Sequence, residues 1–166
     1  MAGTQNHTIR TATHKDIDAI VTLLPRLADF DIPAGREAAD LWMGDRDMLI
    51  AWAEGKRDDV AVFVAIDTHG TIIGVSALSL RKEMLSGKPS SHLEVVALAS
   101  EAEGQGIGRQ LVDTAEQYAT SHGAQSMTLH VFATNRRARQ LYEKMGYDGE
   151  LIRYSKTLSA TDMHKT

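Results

Sequence analysis

Three glycines at alternate positions, Gly104, Gly106 and Gly108 in the stretch Glu-Gly-Gln-Gly-Ile-Gly-Arg (103–109), separate an apolar run from a run of helix formers. Glycine costs about 0.5–1 kcal/mol relative to alanine inside regular structure. Three together therefore demand a sharp turn, a backbone that approaches something closely, or both. Upstream, Ser-His-Leu-Glu-Val-Val-Ala-Leu (91–98) reads as a strand. Downstream, residues 107–120 place Ile107, Leu111, Ala115 and Tyr118 on one helical face. The order strand, glycine loop, helix leaves backbone N–H groups unpaired at a helix N-terminus, where the dipole adds positive potential. A tight turn that binds nothing would explain one glycine. Three in this place favour a pyrophosphate cradle.

The remaining pattern sets the context. Residues 8–12 read as a first strand, and Ile17, Ile20, Val21 and Leu24 recur at helical spacing, with Asp16 as a cap and Pro25 shortening the helix. Residues 36–54 look helical in one or two pieces, interrupted near Gly44. Two apolar stretches, 60–66 and 71–80, flank Asp-Thr-His-Gly, which suits a hairpin turn. A strand at 126–132 precedes a helix from about Asn135 to Met145, ended by Gly146. A closing strand pair from Tyr147 to Leu158 is expected, with a frayed tail beyond Ser159. At 166 residues, this makes one α/β domain, a mostly antiparallel central sheet flanked by helices, with its core at about 7–158.

Composition removes several function classes. The chain has no cysteine, so disulfides, thiolate metal sites and a cysteine nucleophile are excluded. Its seven histidines show no metal-ligand spacing, and no metal is expected. A formal charge of −4 argues against nucleic acid as the main partner. No secretory leader is visible in the polar start, and the apolar run Val60 to Ile66 is too short to span a bilayer. A cytoplasmic location without membrane contact is the expectation.

The glycine loop lacks the Gly-Lys-Ser/Thr ending of a P-loop. It also lies too far along the chain for a dinucleotide fingerprint, which weakens an oxidoreductase reading. Two segments taken together are more specific. Leu-Glu-Val-Val-Ala-Leu-Ala-Ser-Glu-Ala-Glu-Gly-Gln-Gly-Ile-Gly-Arg-Gln-Leu (93–111) resembles the Arg/Gln-x-x-Gly-x-Gly/Ala loop of the GNAT acetyltransferase superfamily. Asn-Arg-Arg-Ala-Arg-Gln-Leu-Tyr-Glu-Lys-Met-Gly-Tyr (135–147) resembles that family's second signature segment. The first strand and helix are similar as well, while 31–59 and 81–90 match weakly. Glu103 stands where the family usually has Arg or Gln. A carboxylate beside a pyrophosphate is unfavourable, so its side chain is expected to face solvent.

The resemblance implies acetyl-CoA as acetyl donor and a primary amine, small molecule or peptide, as acceptor. It implies that Val96, Ala97 and Leu98 pair with the pantetheine arm. Gly104, Gln105, Gly106, Ile107, Gly108 and Arg109 would then hold the pyrophosphate through their amides, and Asn135 would contact the cofactor arm. Asn135 is equally suited to cap a helix. Tyr142 is the implied general acid to the CoA thiolate, although its place on the stripe Ala138–Leu141–Tyr142–Met145 is also that of a core aromatic. Glu94 is the candidate base, directly or through a water. Strand alternation puts it on one face with Val96 and Leu98, and His92 on that face is a second candidate. The run Arg136, Arg137, Arg139 and Lys144 reads as a solvated helix face. Phe30, Trp42 and Trp52 sit where they could line an acceptor pocket, at spacings a core would also use. The alternative to an enzyme is a non-catalytic CoA-binding regulatory module of the same fold. The presence of Tyr142 argues against it. Dimerisation is common in such folds and is expected here on that ground alone.

Overall fold

Strand β2 (Val60–Asp67) explains how the domain closes, because its apolar residues alternate between two separate cores. Val60, Val62 and Val64 enter one core with Ile20, Leu24, Leu49 and Trp52. Ala61, Phe63 and Ala65 enter the other with Ile107, Leu111, Val112 and Ala115. A strand buried on both faces reads as a continuous apolar run, which is why 60–66 contains no polar residue.

The computed structural model describes residues 6–159. The five strands β1 (His7–Thr11), β2, β3 (Ile72–Lys82), β4 (Pro89–Leu98) and β5 (Met127–Leu129) lie in sequence order in one sheet. The first three pairings are antiparallel, and β4 with β5 is parallel. Helices α1 (Ile17–Leu23) and α2 (Met43–Ala53) cover one face. Helix α3 (Ile107–Ser121) covers the other, and α4 (Arg136–Lys144) follows β5.

Most expected elements are present with shifted ends. The first helix passes into a 3-10 turn at Leu24–Ala28 around Pro25. The 36–54 region divides into a 3-10 turn, Ala38–Leu41, and α2. Asp67 closes the β2–β3 turn by accepting from the amides of His69 and Thr71. Gly146, at φ 92°, ends α4.

Two expectations are corrected. Strand β5 has three residues rather than the seven of 126–132. The closing strand pair is absent: 147–159 contains no strand, and Leu151, Ile152, Tyr154 and Leu158 are exposed. Alternation of apolar residues there carries no core behind it. Tyr147 itself is anchored, its hydroxyl donating to Glu116 of α3 at 2.6 Å. The tail from 160 onward lies outside the described residues. Among those residues no helix is long and apolar enough to cross a membrane.

Candidate active site

The site begins with an irregularity in β4. Leu78 of β3 pairs with Leu93, but Ala77 pairs with Val95, so Glu94 is an extra residue, a β-bulge. The parity of the strand changes there. Leu93 packs in the α3-side core, whereas Val95 and Ala97 pack in the α1/α2-side core and Val96 and Leu98 lie against the α3 side. The expected alternation that grouped Glu94 with Val96 and Leu98 is therefore corrected, since an unbroken period of two cannot cross a bulge.

The bulge coincides with a fork in the sheet. Strand β5 pairs with β4 only at Ser91, His92 and Leu93. From Glu94 to Leu98, β4 runs on with no strand on that side among the described residues. This leaves an unpaired main-chain edge, a candidate cleft, with the glycine loop beyond its far end. Val96 and Leu98 are half-buried there, and Ala97 is buried. The Leu98 carbonyl already accepts from Arg26 Nε at 3.2 Å.

At that far end Gly104 and Gly106 have φ of 74° and 77°, left-handed values that favour glycine. Gly106 is the residue before α3, and no side chain caps the helix. A Cβ built on either glycine would meet no atom within 4 Å, so open space lies before the loop. The leading amides of α3, those of Ile107, Gly108 and Arg109, thus begin a helix with uncompensated N–H groups. This donor set fits a diphosphate.

Glu103 is partly exposed, as expected, but its carboxylate is not free. Its carboxylate bridges two arginines, Arg26 at 2.6 Å and Arg137 at 2.7 Å, which hold its pKa below the usual carboxylate value. Arg137 stays exposed on its helix face, as expected, with this one partner added. Its partner was invisible in the sequence because 34 positions separate the two.

Helix α4 starts at Asn135, whose side chain accepts from the Ala138 amide at 3.3 Å, the capping role. Tyr142 and Met145 of its apolar stripe pack against the α3-side core, as Val96, Leu98 and Leu129 do. Tyr142 is half-buried, with its ring edge-on to Tyr147 at 5.8 Å between centroids. Burial pushes its phenol up to about 12, so the hydroxyl keeps its proton throughout the physiological range.

The other face of the fork is built from side chains. Glu94 accepts from Ser79 Oγ at 2.7 Å and is ion-paired to Arg81, and both donors come from β3. His92 is buried, with Nδ1 2.7 Å from Thr128 Oγ1 and its ring edge-on to His130 at 4.7 Å. Desolvation lowers its pKa, which keeps it neutral, and its burial separates it from any acceptor in solution. From α2 comes Asp45, whose carboxyl is raised to about 7 by burial and by the charge of Glu94. Asp45, Ser79, Arg81 and His130 were not identified from the sequence. Ser79 and Arg81 share a strand face, so alternation could have found them; Asp45 carries no local signal.

The aromatic candidates divide. Trp52 is buried in the core against His14, and Trp42 packs on that core. Phe30 lies against Phe132, with ring centroids 5.6 Å apart. The loop before α4 is tied down there as well, Thr134 Oγ1 donating to the Asp31 carbonyl at 2.8 Å.

The family model described as "Acetyltransferase (GNAT) family" matches residues 25–147. The chain is 31% identical over 140 residues to the uncharacterised N-acetyltransferase YhfO of Bacillus subtilis (strain 168), covering 84% of this chain and 89% of that protein. The solved structure of the BH1408 protein from Bacillus halodurans is similar with a TM-score of 0.75 at 19% identity, over 92% of this chain and 99% of that one. The structure of AAC(6')-Iy, in complex with the bisubstrate analog CoA-S-monomethyl-acetylneamine, is similar with a TM-score of 0.68 at 20% identity and the same coverage. At these identities the two structures show a shared fold.

Proposed function

The chain belongs to the acetyltransferase (GNAT) family, and from that premise we propose that it transfers the acetyl group of acetyl-CoA to a primary amine by direct attack in a ternary complex. The observation that carries the reading is the fork of β4 and β5, which leads straight to the uncapped amides of α3. An extended thioester arm needs an unpaired strand edge, and a pyrophosphate needs converging N–H donors. Val96, Ala97 and Leu98 are assigned to the arm. The amides of Gly104, Gln105, Gly106, Ile107, Gly108 and Arg109 are assigned to the phosphates, and Asn135 to the arm from the opposite side while it caps α4. AAC(6')-Iy, whose structure holds a bisubstrate analog containing CoA, supports this assignment through its shared fold.

Acetyl-CoA supplies an activated acyl group with a thiolate leaving group. The chain supplies orientation, a base and a proton donor. A protonated amine of pKa near 10 must lose a proton before it attacks. Glu94 takes that proton, directly or through a water. Its Oε1 is fixed by Ser79 and Arg81, which aims the carboxylate without consuming both oxygens. The nitrogen then bonds to the carbonyl carbon as the carbon–sulfur bond breaks. An N–H of β4 along the cleft polarises the carbonyl. Tyr142 donates its proton to the departing sulfur, its burial keeping that proton in place until then, and the surplus proton on the new amide nitrogen restores the phenol.

Tyr142→Phe tests the assignment. It removes one oxygen from a half-buried ring, and loss of a general acid costs about a hundredfold or more in turnover. Acetylation of an amine library, followed by mass spectrometry, should fall by at least that factor while acetyl-CoA affinity stays near wild type. Unchanged turnover would remove Tyr142 from the mechanism.

A further inference from the structure

Resting on the acetyl-transfer reading, we infer that Arg26 is a positioning residue for the donor: it holds the strand edge assigned to the arm in a fixed relation to the loop assigned to the phosphates. Arg26 lies in the 3-10 turn Leu24–Ala28 that continues α1. It donates from Nε to the Leu98 carbonyl at 3.2 Å and from Nη2 to Glu103 Oε1 at 2.6 Å. Leu98 ends β4, and Glu103 directly precedes Gly104. One guanidinium therefore spans the bend between the two halves of the site. It is held in turn. Asp29 lies 3.0 Å from Nη2, and Arg137 takes the other oxygen of Glu103 at 2.7 Å.

The register of the sheet gives the Leu98 contact its meaning. Opposed residues of an antiparallel pair alternate between exchanging main-chain hydrogen bonds and facing away. Ala99 donates to the Ile73 carbonyl at 2.9 Å, and the pairs Gly74–Leu98, Val75–Ala97 and Ser76–Val96 follow in step. Ala97 thus bonds to β3. Val96 and Leu98 turn their N–H and C=O groups to the edge that β5 leaves at Leu93. Of these groups Arg26 takes the Leu98 carbonyl, the last on the edge before the chain bends to the loop. Val96 N–H, Val96 C=O and Leu98 N–H are left to face an arm. A bare edge accepts a ladder at steps of two residues, about 7 Å apart. Free amides at a helix start hold phosphates without fixing where a thioester falls along the strand. By tying edge to loop, Arg26 selects one step.

The test separates placement from affinity. Arg26→Lys keeps the charge opposite Glu103 and Asp29, but gathers its donors on one atom where the guanidinium spreads them across a plane. On protein shown to be folded by circular dichroism, the calorimetric Kd for acetyl-CoA should stay within about threefold of wild type. Turnover of the amine library at saturating acetyl-CoA should fall about tenfold or more, since small misplacements are felt in the chemical step. Wild-type turnover, or a loss of affinity as large as the loss of turnover, would overturn the inference. A second readout needs no variant. In the wild type, the Arg26 Nε–H followed by NMR should stay protected from solvent exchange when CoA is added; exchange that speeds on binding would overturn the inference as well. The two readings fail differently. A wild type that binds no acetyl-CoA sinks both, and acetylation undiminished by Arg26→Lys sinks the role of Arg26 alone.

Discussion

At the far end of the β4–β5 cleft the groups that face the open space belong to the main chain. They are strand edge from Glu94 to Leu98 and the leading amides of α3. At the bulge the groups are side chains drawn from three elements: Ser79 and Arg81 from β3, Glu94 and His92 from β4, and Thr128 from β5. The two ends therefore respond to different substitutions. Main-chain sites are disturbed by changes that alter φ or insert bulk, and side-chain sites by changes of charge that leave the backbone alone. A common donor and a variable acceptor call for that division. The donor end is made of groups every residue possesses, and the acceptor end can be rewritten one side chain at a time.

The largest expected effect is at the donor end. Gly106→Val forces a β-branched residue to φ 77°, a strain of about 1–3 kcal/mol, and crowds the open space before α3. Affinity for acetyl-CoA and for CoA should fall together on the order of a hundredfold, the equivalent of about 2.7 kcal/mol, by calorimetry on protein shown to be folded by circular dichroism. Retained affinity would move the cradle elsewhere.

Gly74→Ala probes the support beneath the same end. A Cβ at Gly74 would stand 2.8 Å from Leu98 Cδ2 and 3.0 Å from Leu111 Cδ1. Overpacking of this kind costs about 1–3 kcal/mol, or roughly 2–4 °C of Tm per kcal/mol in a chain of this size. Leu98 must shift to make room, so weaker acetyl-CoA binding should accompany the lower Tm. A variant that loses stability and keeps full affinity would show that the end of β4 is not part of the cleft.

Asp45→Asn sharpens the comparison by a change of charge alone. Because the folded carboxyl titrates near 7 rather than 3.8, Asp45 holds its proton more tightly in the folded chain. The stability this gives is complete below pH about 4 and is lost as pH rises through about 7. Asparagine cannot ionise. The variant should therefore nearly match wild type in Tm at pH 4 and exceed it by several degrees at pH 8, with no change in acetyl-CoA affinity. A constant difference at both pH values would mean that the effect is one of shape rather than charge.

The smallest expected effect is that of Glu103→Gln. Arg26 and Arg137 would be released from their shared carboxylate. Acetyl-CoA should then bind a few-fold tighter at low ionic strength, and the gain should disappear as salt screens it. Weaker binding would mean that the bridge positions the loop and that its charge is secondary.

The two ends also differ in how far the sequence revealed them. The glycine loop, α3 and α4 are local objects. Glycine spacing, a helical stripe and an N-cap asparagine each act over a few residues, and each is where the sequence places it. The bulge is not local. It appears only when Leu93 and Val95 are compared with their partners on β3, and it overturns the simple alternation of β4. The bridge Arg26–Glu103–Arg137 and the field of Glu94 on Asp45 join positions far apart in the chain. The expected closing strands failed for a related reason: residues such as Leu151, Ile152 and Tyr154 have strand-like character, but nothing in the described fold pairs with them. Pattern predicts an element where a core is waiting to receive it.

The most direct measurement is thermal unfolding with acetyl-CoA, with NAD and with no ligand, at matched concentrations. A ligand at a hundredfold above its Kd adds about 2.7 kcal/mol, a shift of several degrees for a chain of this size. Stabilisation by acetyl-CoA and not by NAD is the result that follows from the fork and the glycine cradle. No shift with acetyl-CoA in a folded sample would contradict both the cradle and the acetyl transfer built on it.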